Sequence, residues 1–225
     1  MLIHRLHLQQ LQTDLTDWQR HCPDDLLSGI LLVSRYQYPD LNLNPIRMEL
    51  EKVKRSIWLE LNSYLTPLEQ VNVLNSILFN YFKFKGGEVN YTRPDDFLLH
   101  QLLESKQGNA ITTGILILIL TDMLGLSLRA LQIPRQFILA WMNPAGEDHP
   151  IQFYVDSANG QIYSQQDVDT YFKRVNATAI PSYFEPMRNE RILQLLLEEY
   201  SKCFADENNS YKGTDLRNLA ALLNR

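Results

Sequence analysis

Cysteine is scarce: the chain carries only Cys22 and Cys203, in polar stretches near opposite ends. That excludes a disulfide-stapled scaffold and a paired-cysteine zinc site, and two unpaired thiols fit a reducing cytoplasm. A basic excess is also missing. With 21 Lys and Arg against 26 Asp and Glu, the formal net charge is −5, and a nucleic-acid partner is not expected, because phosphate binding draws on clustered cations. Long apolar runs are absent too. The longest, Ile115–Leu120, is far short of the roughly 18 residues of a membrane span. Met1–Leu15 is broken by His4, Arg5, His7 and Gln9 and has no apolar region of the signal-peptide kind. A soluble, cytoplasmic protein with no membrane partner is the expectation.

The common chemical motifs are missing as well. There is no glycine-rich phosphate loop, no Gly-x-Ser-x-Gly elbow and no His-Glu-x-x-His, so no cofactor is expected. His4, His7, His21 and Cys22 match no standard ligand spacing, and no metal site is assigned to them. Glu198–Glu199 and Asp206–Glu207 read as solvated charge at helix ends.

What is present is helical periodicity around one very apolar segment. Leu8, Leu11, Leu15 and Trp18 share a helix face, and Asp24–Asp25 opens a second helix that Pro39 ends. From Pro45 to Leu61, Ile46, Leu50, Val53, Ile57 and Leu61 recur on one face with charges opposite. Thr66-Pro67-x-Glu69 is a capped helix start, and Gly86–Gly87 stops that helix. Pro94-Asp95-Asp96 starts another, over Phe97, Leu98, Leu102 and Leu103. At the far end Ile192, Leu195, Leu196 and Tyr200 mark one helix face, and Leu216, Leu219, Ala220 and Leu223 a last helix. Between them, the helix through Ile115–Leu120 is apolar on every side and must sit inside the fold. Two strand-like segments follow it, 129–141 and 151–160, joined by an exposed hairpin loop over Asn143–Pro150.

This order carries short motifs: Gly108-Asn109-Ala110 before the central helix, Leu124-Gly125-Leu126 after it, then Pro134-Arg135-Gln136-Phe137 and Val155-Asp156-Ser157-Ala158-Asn159-Gly160. They resemble the transglutaminase-like (papain-like) core, and most closely its SirB-type "transglutaminase-like core 2" branch. The superfamily has Gly-x-Cys and Leu-Gly-Ile/Leu at the first two places, and the branch has Pro-Gly-His-Phe and Ile-Asp-Pro-Phe-Asn-Gly at the others. The run Leu31–Leu41 resembles the branch's helical N-terminal part. The resemblance implies an α+β fold, with a buried central helix packed on a small antiparallel sheet and helical layers at both ends. The expected division is a helical region 1–65, a transglutaminase-like core 66–175 and a C-terminal helical pair 176–225, forming one compact unit.

The resemblance also implies a Cys-His-Asp triad, whose positions here hold Ala110, Gln136 and Asp156. A methyl group cannot attack a carbonyl, and an amide cannot shuttle a proton. No catalytic residue is therefore assigned. Asp156 is expected to face Gln136 across adjacent strands and accept its amide; alternatively, Asp before Asn-Gly is a plain turn. The candidate groove residues are Asn109, Thr112, Thr113, Gln136, Trp141, Tyr154, Asp156 and Asn159. Against each stands a structural role: Thr112 and Thr113 as helix-end hydroxyls, Trp141 and Tyr154 as core aromatics. The expected function is a non-catalytic protein whose groove binds a protein or peptide segment, or serves as a scaffold or regulatory factor. The rivals are an amide-bond hydrolase or acyl-transferase using Thr112 or Thr113, and an interaction protein working through its outer helices over a vestigial groove filled by Trp141 and Phe137.

Overall fold

The structure is a computed structural model that describes residues 2–144, 150–206 and 209–224. Its N-terminal half is helical: α1 Leu2–His21, α2 Leu26–Gln37, α3 Leu43–Glu60 and α4 Pro67–Asn75, the last running on as a wider π-helical turn over Ser76–Tyr81. Side chains set the starts. Asp25 caps α2 through Ser28 N–H, Asn42 caps α3, and Thr66 with Glu69 closes a reciprocal capping box on α4. A short 3₁₀ turn over Pro94–Phe97 leads into α5, Leu99–Ser105. The expected helix at Pro94 is thus divided in two.

The central helix is α6, Ala110–Met123, and every residue from Ile111 to Thr121 in it is buried. It lies between α3 and α5 on one side and an antiparallel sheet on the other. The sheet comprises β3 Leu128–Ile133, β4 Gln136–Met142, β5 Ile151–Asp156 and β6 Ile162–Tyr163, in that spatial order. The segment read as one strand over 129–141 is therefore a hairpin, turned at Pro134–Arg135, and the 151–160 strand ends at Asp156. Pro134 presets its own φ, and Arg135 takes φ 63°, the left-handed conformation a tight turn requires at its second central residue.

The sheet is covered on both faces, which is why its strands read as near-continuous apolar runs. Ala130, Phe137, Leu139, Trp141, Phe153 and Val155 join the main core with α6. Leu131, Ile133, Ile138, Ala140 and Tyr154 pack instead on Val168 and Phe172 of α7, Gln165–Arg174. Ser164 caps this second covering helix, its hydroxyl accepting the Asp167 N–H.

Gly86–Gly87, read as a helix stop, belongs to β1, Lys85–Gly87, which pairs in parallel with β2, Gln107–Asn109. At Gly86 a Cβ would stand 2.5 Å from the Ala158 carbonyl oxygen, so glycine is required where β1 meets the turn after β5. The chain ends in α8, Asn189–Ser201, and α9, Ser210–Leu222, which pack on each other and on α1 and α2. One apolar cluster runs from Leu11 to Leu223 through all these layers. The loop expected over Asn143–Pro150 lies at residues 145–149 outside the described residues, as does Glu207.

Candidate functional site

Three elements converge on one cleft of about 850 Å³: the first residues of α6, the adjoining ends of β4 and β5, and the C-terminal turns of α8. Asn109 fixes the first. Its side-chain oxygen accepts the N–H groups of Ile111 and Thr112, each at 3.0 Å, and this cap leaves Ala110 half-buried at the cleft wall. The sheet fixes the second. Ile138 pairs with Asp156, so Gln136, two residues earlier on β4, shares the Asp156 face as its diagonal neighbour. Ala110, Gln136, Asp156 and Asn159 all line the cleft.

The expected amide–carboxylate bond between Gln136 and Asp156 is not formed. Gln136 is exposed, whereas the Asp156 carboxylate accepts the Ala158 N–H at 2.7 Å. Burial, then the Asp156 charge, raise the Tyr163 phenol above its ordinary value. The Asp156 side chain thus ties the end of β5 to the turn that follows it. The residues on the opposite face, toward α6, are Phe137 and Ser157, and the Ser157 hydroxyl donates to the Phe137 carbonyl at 2.7 Å.

Five groove candidates lie elsewhere because the fold needs them inside. Thr112 is buried and donates to the Asp96 carbonyl at 2.7 Å. Thr113 is also buried, and its hydroxyl has no hydrogen-bond partner among the described residues. Neither lines the cleft, so neither is placed to attack a ligand there. Trp141 stacks on Phe153 at 5.9 Å on the α6 side of the sheet. Tyr154 is on the α7 side, where its hydroxyl donates to Gln165 at 2.6 Å, and burial pushes its pKa up to about 12. Asn109 itself is wholly buried as the cap. The cleft is open, with Phe137 in its wall and Trp141 outside it.

The far wall was not legible in the sequence. Tyr91 donates to Glu199 at 2.6 Å, and the Lys202 ammonium lies 2.7 Å from the same carboxylate and 5.5 Å from the Tyr91 ring. Glu199, read as solvated charge, therefore holds the loop after β1 against α8. Burial works to lower the Lys202 pKa, but the Glu199 hydrogen bond and charge outweigh it and leave it raised. Only tertiary structure brings Tyr91 to α8. Arg135, in contrast, had a local signal, since it stands where the branch's pattern has glycine. Among the described residues, those lining the cleft include no cysteine and no histidine.

Residues 44–198 match the profile of the Transglutaminase-like superfamily. The chain is similar to UPF0162 protein YchA of Escherichia coli (strain K12), 24% identical over 186 residues that cover 81% of this chain and 68% of that protein. Protein SirB1 of Salmonella typhimurium is 22% identical over the same length, 81% of this chain and 67% of its own. F-box only protein 21 of Homo sapiens is 22% identical over 169 residues, 64% of this chain and 27% of its own. No solved structure matches. The chain belongs to the transglutaminase-like superfamily, in the branch that includes YchA and SirB1.

Proposed function

We propose that this chain is a non-catalytic member of the superfamily whose cleft binds a protein or peptide segment. The observation that carries the reading is the cleft itself: it is open, and its lining has Ala110 and Gln136 where the triad would place thiol and imidazole. Acyl transfer needs an activated nucleophile within reach of a base, and the two threonines that could replace the thiol are turned into the core. A cleft of this size suits a few side chains of a partner.

A second reading has one specific observation in its favour. Met48, Trp58 and Leu59 of α3, with Tyr64, Leu68 and Tyr81 nearby in sequence, are exposed, and large apolar side chains left in solvent together are a feature of interaction surfaces. Co-purification separates the two. Under the cleft reading, partners of the tagged wild type are lost with Ala110→Trp, which fills the cleft, and kept with Trp58→Ala/Tyr81→Ala. The reverse pattern moves the working surface to the outer helices. An acyl electrophile that forms a stable adduct on a cleft residue of the wild type would overturn the non-catalytic part.

A further inference from the structure

The β3 edge of the sheet is closed along only part of its length. Met187 N–H donates to the Ala130 carbonyl at 2.9 Å, so Ala130 turns its polar groups away from β4. Alternation along an antiparallel ladder then turns the N–H and C=O of Gln132 outward as well. The Ser157 bond agrees: Phe137, the partner of Gln132, directs its carbonyl toward β5. Nothing among the described residues pairs with the Gln132 backbone. An unpaired edge is a template for another strand.

That open position borders a depression of about 650 Å³ between the β3–β4 turn and the start of α8. The depression shares Gln132, Ile133 and Arg135 with the cleft, so the two are continuous. Arg135, Arg188 and Arg191 line it, with Glu185 and Glu190 as the opposing charges. Arg191 is engaged by Gln132 and Glu198, whereas Arg135 and Arg188 form no ion pair among the described residues. Glu190 lies in the first turn of α8, where the helix dipole offsets its charge. Arg135 is held at φ 63°, at a cost that glycine would avoid.

We propose that the depression takes an extended peptide segment bearing a carboxylate, which adds as a strand to β3 at Gln132, sets its acid between Arg135 and Arg188, and runs on into the cleft. The proposal rests on the cleft being a binding site and names what it binds. Backbone pairing supplies affinity without regard to sequence, and the two arginines supply the preference.

The probe is a set of acetylated, amidated octapeptides of alternating Thr and Val with a central Glu, Gln or Lys, added to the ¹⁵N-labelled full chain. The Glu peptide is expected to bind about tenfold more tightly than the Lys peptide, to slow exchange of the Gln132 amide at least tenfold, and to lose binding when N-methylated at the pairing position. Arg135→Glu/Arg188→Glu should reverse the Glu-over-Lys preference, with circular dichroism confirming the fold. Equal binding of Glu and Lys peptides, or an unprotected Gln132 amide with shifts only at Ala110 and Asp156, overturns this inference and leaves the cleft reading standing. Shifts at neither place overturn both.

Discussion

Gly114 sets the distance between the central helix and the sheet, and Gly114→Ala tests that directly. A Cβ there would lie 2.7 Å from Cε1 of Phe137 and 2.8 Å from Cβ of Ser157, against about 3.5–4.0 Å for carbons in contact. In an open helix interior the change would gain about 1 kcal/mol of propensity. Forcing a methyl into a filled core costs about 1–3 kcal/mol. Ser157 gives little, because it is buried and bonded to the Phe137 carbonyl. The net expectation is a loss of about 1 kcal/mol, a fall in the urea midpoint of about 0.5 M. In a Phe137→Leu background, which removes the ring, the same substitution should cost less, with a coupling of about 0.5–1 kcal/mol. Urea unfolding followed by circular dichroism measures all four chains. A Gly114→Ala protein as stable as wild type, or more so, would refute the close approach and the cleft geometry built on it.

Arg135→Gly removes the left-handed strain at the hairpin turn and should stabilise the fold by about 0.5 kcal/mol after the extra chain entropy of glycine. Arg135→Ala keeps the Cβ and should gain nothing, and thermal unfolding of the pair decides. Burial, then the Asp96 and Glu199 charges, push the Cys203 thiol up to about 12, while Cys22 is exposed. Near pH 8 a disulfide reagent should therefore titrate one thiol of the native chain quickly and the second only on unfolding. Burial lowers the His100 pKa below its ordinary 6.5, against the opposing charges of Asp95 and Glu104. The unfolded chain then binds the proton first, so this contribution is present above about pH 6.5 and is lost as pH falls below it. Wild type should lose more stability than His100→Gln on acidification from about pH 7.5 to 5, and equal losses would count against the buried ring.

What the sequence disclosed followed from strong local rules. All-round apolarity marked α6 as the buried centre, and Thr66-Pro67-x-Glu69 marked its helix start because the capping box is a local pattern. The α+β class was legible from the order of elements. β1 and β2 were not, since three-residue strands built on glycines have no alternation to read. That the sheet is covered on both faces was not legible for a related reason. Strands buried on both faces look like strands buried on one when only their apolarity is counted. At the site, the positions of Ala110, Gln136 and Asp156 could be read, but the directions of their neighbours could not. The choice between cleft and core for Thr112, Thr113, Trp141 and Tyr154 depends on tertiary packing.

Ala110, Gln136 and Asp156 differ in what the fold asks of them. Gln136 is exposed at a strand start, and Ala110 is held by a cap that Asn109 alone supplies. Neither residue type is needed for its surroundings to form. Asp156 is different, because its carboxylate accepts the Ala158 N–H at 2.7 Å. Hydrogen bonds to an ionised group contribute about 1.5–3 kcal/mol each before competition with water at a part-open site. Asp156→Ala should then destabilise by about 2 kcal/mol, and Asp156→Asn by roughly half as much, since an amide oxygen can still accept the Ala158 N–H. Gln136→Ala should stay within about 0.5 kcal/mol of wild type. Folding alone would retain the aspartate whether or not the cleft is catalytic, so its presence is no argument for catalysis. Equal, small losses for Asp156→Ala and Gln136→Ala in urea unfolding would remove that explanation and leave a ligand contact as the reason for the carboxylate.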